Sequence, residues 1–158
     1  MNNINFKPAK KYVSCMQILQ ASPEKVFPLL CPKREFDWID GWDCKIIYSE
    51  SEYAEQDCIF TTDFPGDVKE TWFVDKYEKN KQIQFIKFSE QRAVRYTISL
   101  SENNDGTTSA KWEQTIISLN SDGNLFIENF SDEEFNKKIK GLEEKMNHYL
   151  LTGEMLKK

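Results

Sequence analysis

Ser131–Leu151 reads SDEEFNKKIKGLEEKMNHYLL, and the architecture turns on it. Ser131 through Glu134 form a capping box: the Ser131 hydroxyl accepts from the Glu134 backbone amide while the Glu134 side chain reaches back to the Ser131 amide. A long helix starts there. Phe135, Ile139, Leu142, Met146, Tyr149 and Leu150 follow mostly three and four residues apart, which keeps them on one stripe of a 3.6-residue helix. Each such side chain gains about 1.5–3 kcal/mol on burial, so the stripe requires a sheet to cover it. On the opposite face, Glu133/Lys137 and Glu134/Lys138 stand at i,i+4 and predict a solvated, ion-paired surface.

The sheet lies upstream. Between Cys44 and Leu119 the pattern changes to short β-type runs broken by turn signals, as in an antiparallel meander. It predicts six strands, Cys44–Ser49, Cys58–Asp63, Val68–Tyr77, Gln82–Phe88, Val94–Ser101 and Thr108–Leu119. Pro65-Gly66-Asp67, Glu78–Lys81, Glu90–Arg92 and Asn103–Gly106 supply the turns. A further strand, Tyr12–Gln20, precedes Ser22-Pro23-Glu24, where an N-cap, a first-turn proline and an early acid open a short helix. That helix carries Val26, Phe27, Leu29 and Leu30 inward and stops at Cys31, because Pro32 disfavours helical geometry in the residue before it. Lys33–Asp43 reads as a second short helix closed by a turn at Gly41.

Composition bounds the rest. A chain of 158 residues suits one domain, residues 1–158, able to bury its own core. Its net charge of −5 argues against a phosphate-backbone binder, so nucleic acid is not an expected partner. Lys7–Lys11 reads as a solvated tail. No apolar run is long enough for a membrane span, and Met1–Asn5 does not open a secretory signal; the expected place is the cytoplasm. Cys15, Cys31, Cys44 and Cys58 are spaced for neither zinc nor a disulfide framework and read as four buried free thiols. Asp37, Asp40 and Asp43 recur every three residues, but no EF-hand pattern accompanies them and no metal is expected. The single histidine, His148, falls about 140° from the apolar stripe and faces solvent, which leaves no Ser-His-Asp or Cys-His arrangement. No nucleotide motif is present either, and no cofactor is implied.

The order strand, two short helices, six strands and a long amphipathic helix resembles the START/polyketide-cyclase-like (SRPBCC, helix-grip) superfamily. The resemblance runs from about Tyr12 to Leu151. It rests on ASPEKVFPLL at Ala21–Leu30, VKETWFVDKYEKNKQIQF at Val68–Phe85 and NDGTTSAKWEQT at Asn104–Thr115. CPKREFDWIDGWDC at Cys31–Cys44 looks like the marker of a small bacterial branch. The resemblance implies an α+β helix-grip fold: a curved seven-stranded antiparallel sheet around a long C-terminal helix, with two short helices after strand one. It also implies a cavity between helix and sheet, but no catalytic residue, since the superfamily shares none.

Alternation says what faces that cavity. If Trp72 and Val74 point to the helix, so do Val68 and Glu70. An unpaired carboxylate there would have a raised pKa, whereas at the sheet's rim Glu70 would be wet. Tyr96 and Gln114 fall inward with Val94, Ile98, Trp112 and Ile116, either orienting a ligand or completing a plain core. Trp38 and Trp42 stand near one end of the helix, lining an entrance or closing the core. The candidate ligand-binding set is Glu70, Trp72, Tyr96, Trp112, Gln114, Trp38, Trp42, Ile139, Leu142 and Met146, around a small hydrophobic or amphipathic molecule. The alternatives are a polyketide cyclase/dehydratase-like enzyme using Glu70 or Tyr96 as acid or base, and a protein-partner module resembling chaperone-ATPase activators.

Overall fold

A computed structural model describes residues 6–157; the Met1–Asn5 stretch considered for a leader lies outside them. Strand β1 (Lys10–Leu19) leads into α1 (Pro23–Val26), a 3₁₀ turn over Phe27–Leu30, and α2 (Pro32–Glu35). Six strands follow: β2 (Lys45–Tyr48), β3 (Ile59–Thr62), β4 (Glu70–Glu78), β5 (Gln82–Phe88), β6 (Arg92–Glu102) and β7 (Thr108–Ser118). Two helices close the chain, α3 (Ser121–Asn129) and α4 (Asp132–Thr152). All seven strands form one curved antiparallel sheet in the order β1-β7-β6-β5-β4-β3-β2. Short connections pair each of β2 to β7 with its sequence neighbour, and β1 closes against β7. This is the helix-grip arrangement.

The helix is clasped to the sheet by polar side chains as well as by its apolar stripe. Phe135, Ile139 and Met146 are fully buried. Beside them, Glu143 accepts from the Ile18 amide at 2.7 Å, Asn147 bonds both the Gln20 amide and the Ile18 carbonyl, and Lys140 donates to the Met16 carbonyl at 2.8 Å. The free edge of β1 is thereby occupied, which removes a template for unwanted strand pairing. From inside the sheet, buried Gln17 donates to the Ile139 carbonyl and accepts from the Trp112 indole, satisfying polar groups that burial would otherwise penalise.

Several expectations are corrected. Lys11 is no tail residue, since its ammonium donates to the Phe130 carbonyl at 2.6 Å and stands 3.7 Å from Asp132 at the start of α4. Ser22 is extended as an N-cap should be, but its side chain makes no capping bond; its carbonyl accepts from Lys25 and Val26 instead. Cys31 and Cys58 are buried, whereas Cys15 and Cys44 are only half-buried, and His148 is half-buried rather than solvent-facing. Along its surface α4 pairs Lys140 with Glu143 at 3.5 Å, while Glu134, Lys137 and Lys138 line a cavity.

Helix α3 was not anticipated. Asn120 caps it by accepting from the Gly123 amide at 3.0 Å, and buried Gly123 brings the helix so close to the connection between β5 and β6 that a Cβ there would overlap the Gln91 carbonyl oxygen. That obstacle is backbone and cannot rotate away. Gly123→Ala should therefore cost about 1–3 kcal/mol through overpacking, read as a lower urea midpoint, whereas a glycine-to-alanine change at an unobstructed helical position stabilises the helix.

Candidate functional site

Strand alternation turns one face of the sheet toward α4, and the space between them holds a cavity of about 840 Å³. Its floor is aromatic. Trp72 stacks on Phe60 at 5.1 Å between ring centres and meets Phe85 edge-on at 5.4 Å, and Tyr96 bridges Trp72 to Trp112. Its roof is a second stripe of α4, Glu134, Lys137, Lys138, Gly141, Leu142 and Lys145, one position round from the stripe that packs into the core. Trp42 and Phe64, 5.7 Å apart, stand at one end.

A charged cluster interrupts the aromatic wall. Lys87 donates to Glu70 Oε1 at 3.2 Å, and Arg92 Nη2 lies 3.7 Å from Glu70 Oε2 and 3.3 Å from Asp67. Glu70, Lys87 and Arg92 are all buried, and Glu70 Oε2 has no hydrogen-bond donor. Both cations also lie on rings: Lys87 Nζ is 4.4 Å above Trp72, and the Arg92 guanidinium 3.7 Å above Phe126, contacts that favour a desolvated charge. Burial nevertheless pushes the Lys87 ammonium down to about 8, with Glu70 offsetting only part of the effect. Glu35, presented to the same cavity by α2, is half-buried, and desolvation there holds its carboxyl well above the usual range while Lys138 pulls the other way. Tyr96 is raised by burial and by Glu35, so it stays a phenol and makes a poor base.

Glu70, Trp72, Tyr96, Trp112, Gln114, Trp42 and Leu142 of the candidate set share the cavity wall. Trp38, Ile139 and Met146 do not. Trp38 is wholly buried with its indole donating to the Leu29 carbonyl at 2.8 Å, and Ile139 and Met146 belong to the core stripe of α4. Asp37 is taken up by Arg34 at 2.9 Å. Glu35, Lys87 and Arg92 are among the polar wall residues that were missed. Lys87 was within reach of the alternation argument, two residues after inward Phe85, and Arg92 likewise two before inward Val94; Glu35 carried no such signal.

No family model and no curated protein matches the sequence. Solved structures do match in shape. A major latex-like protein from Panax ginseng superposes with a TM-score of 0.63 at 10% identity, covering 89% of this chain and 97% of that one. Protein MLL2253 from Mesorhizobium loti gives 0.60 at 16%, covering 89% and 96%. DynU16, from the dynemicin biosynthetic locus, gives 0.61 at 16%, covering 90% of this chain but 48% of its own, so the chain spans about half of DynU16. At identities this low the likeness shows the fold alone, and that fold is the helix-grip arrangement. Among the described residues no helix is long and apolar enough to cross a membrane.

Proposed function

We propose that the chain binds a small amphipathic molecule between α4 and the inner face of the sheet. The cavity carries this reading: about 840 Å³ is well above the roughly 300 Å³ at which ligand sites begin. Aromatic floor and polar cluster together match the usual composition of such sites, an apolar surround with a few groups that fix orientation. The partner-protein alternative, which a small cavity would have favoured, has no comparable support.

A native mass spectrum of the purified protein, compared with the denatured chain, tests the proposal. The expected result is an excess mass that disappears on denaturation and is lost when the cavity is filled by substitution. An excess mass that persists in a cavity-filled variant would place the ligand elsewhere.

One observation favours a second reading, an enzyme acting on the same ligand. Glu35 is held toward its acid form while Lys87 is pushed down to about 8, and environments that move titratable groups toward neutrality are those that assign acid and base roles. Glu35 and Lys87, rather than Tyr96, would then be the proton donor and acceptor. Turnover lost in Glu35→Gln with ligand affinity kept would favour it; affinity and turnover lost together would not.

A further inference from the structure

Lys87 enters the cavity from β5 with 7% of its surface exposed, yet its ammonium makes one hydrogen bond, to Glu70 Oε1. Its nitrogen otherwise lies over the faces of Trp72 and Tyr96, 4.4 and 5.6 Å from the ring centres. Rings attract a cation but accept hydrogen bonds weakly. Two donors of a buried ammonium are therefore under-used on the wall of an open cavity.

The charge balance points the same way. Five cations line the cavity, Lys87, Arg92, Lys137, Lys138 and Lys145, against the five carboxyl groups of Glu35, Asp40, Asp67, Glu70 and Glu134. Glu35 is held toward its neutral acid by burial, which tips that balance toward positive. Arg92 already has Asp67, at 3.3 Å, and the Gln91 side chain. Lys137 and Lys138 stand exposed to water on α4, so of the two buried cations it is Lys87 that has a single acceptor.

Resting on the ligand-binding reading above, we propose that the molecule bound in this cavity is a monoanionic organic acid, its carboxylate accepting from Lys87 and its apolar body lying on Trp72, Phe60 and Phe85. Such an anion supplies the acceptors that the rings do not. It also opposes the effect that dominates at Lys87, where burial, Arg92 and Lys138 disfavour the charge and Glu70 alone favours it; the neighbouring Tyr96 stays neutral. Anion and proton are then held together, so affinity for the acid falls as the pH rises above about 8.

Two matched pairs test this on the intact protein: 1-naphthoate with 1-naphthamide, and decanoate with decanamide, titrated against tryptophan fluorescence and calorimetry. The acid of at least one pair should bind about tenfold more tightly than its amide near pH 7. That gap should narrow by up to about tenfold per unit above pH 8 while the amide's affinity stays flat. The pair that shows the gap tells whether a ring or a chain is the preferred body. In Glu70→Gln/Lys87→Met, which removes both charges together, the gap should vanish, and Lys111→Gln, whose ammonium lies 3.6 Å from Glu113 and away from the cavity, should leave it. Should the double variant fail to fold, the pH profile of the wild type decides alone. Equal affinity for acid and amide would overturn the monoanion assignment and leave ligand binding standing. If no probe binds below about a millimolar, the ligand-binding reading falls with it.

Discussion

Glu70→Ala should destabilise the fold by about 3–5 kcal/mol, the cost of removing one partner from a buried ion pair. Glu70 is the anion that Lys87 and Arg92 share, at 3.2 and 3.7 Å; without it two buried cations face each other, and only Arg92 retains an acid, at the half-exposed Asp67. Lys87→Met should cost less. Glu70 keeps Arg92, and a thioether lies well on the face of Trp72. The double variant Glu70→Ala/Lys87→Met should therefore be more stable than Glu70→Ala alone, a non-additivity that neighbouring charges produce and independent sites do not. Urea unfolding of the four proteins measures it. A cost below about 1 kcal/mol for Glu70→Ala would mean that water solvates the cluster as it does a surface pair.

The same pair sets a pH dependence. Lys87 titrates at about 8 in the fold, whereas an unfolded chain holds that proton up to about 10.4. Above about pH 8 the unfolded state binds more protons, so stability rises with pH. The rise is brief. Burial pushes the Cys44 and Cys58 thiols up to about 11, and since an unfolded thiol ionises near 8.5, stability falls again as the pH climbs past about 9. Lys87→Met should remove the rising limb and leave the falling one.

Periodicity made the sheet and the long helix legible because both bury a face, and a buried face writes a repeat into the sequence. In β7 the inward residues Ala110, Trp112, Gln114 and Ile116 alternate without a break, and Glu70 was turned inward by the same rule applied to Trp72 and Val74. Helix α3 left no such trace: Leu125 is 55% exposed beside half-buried Phe126 and Ile127, so its apolar residues form no stripe. The cavity was legible only in part, because hydrophobicity reports burial and not what a residue is buried against. Trp38, Ile139 and Met146 are as apolar as Trp72 or Leu142, yet they pack into the core. The roof escaped for the converse reason. Leu142 apart, its stripe on α4 is lysine, glutamate and glycine, which by pattern alone is a solvated face.

Gly141 in that roof carries the last expectation, one that separates stability from binding. A glycine inside a helix costs about 0.8–1.0 kcal/mol relative to alanine, and it is usually repaid by a close contact that a side chain would block. None exists at Gly141, where an added Cβ would meet nothing within 4 Å. The space it leaves open belongs to the cavity, between Lys138 and Lys145. Gly141→Ala should accordingly stabilise the protein by about 1 kcal/mol and leave probe affinity nearly unchanged. Gly141→Trp should keep the fold, since the indole enters empty space, but weaken binding by about a hundredfold or more, equivalent to roughly 2.8 kcal/mol. A glycine kept at a cost in stability and surrounded by nothing is accounted for if a ligand occupies that space; undiminished binding to Gly141→Trp would show that the bound molecule never approaches this turn of the helix.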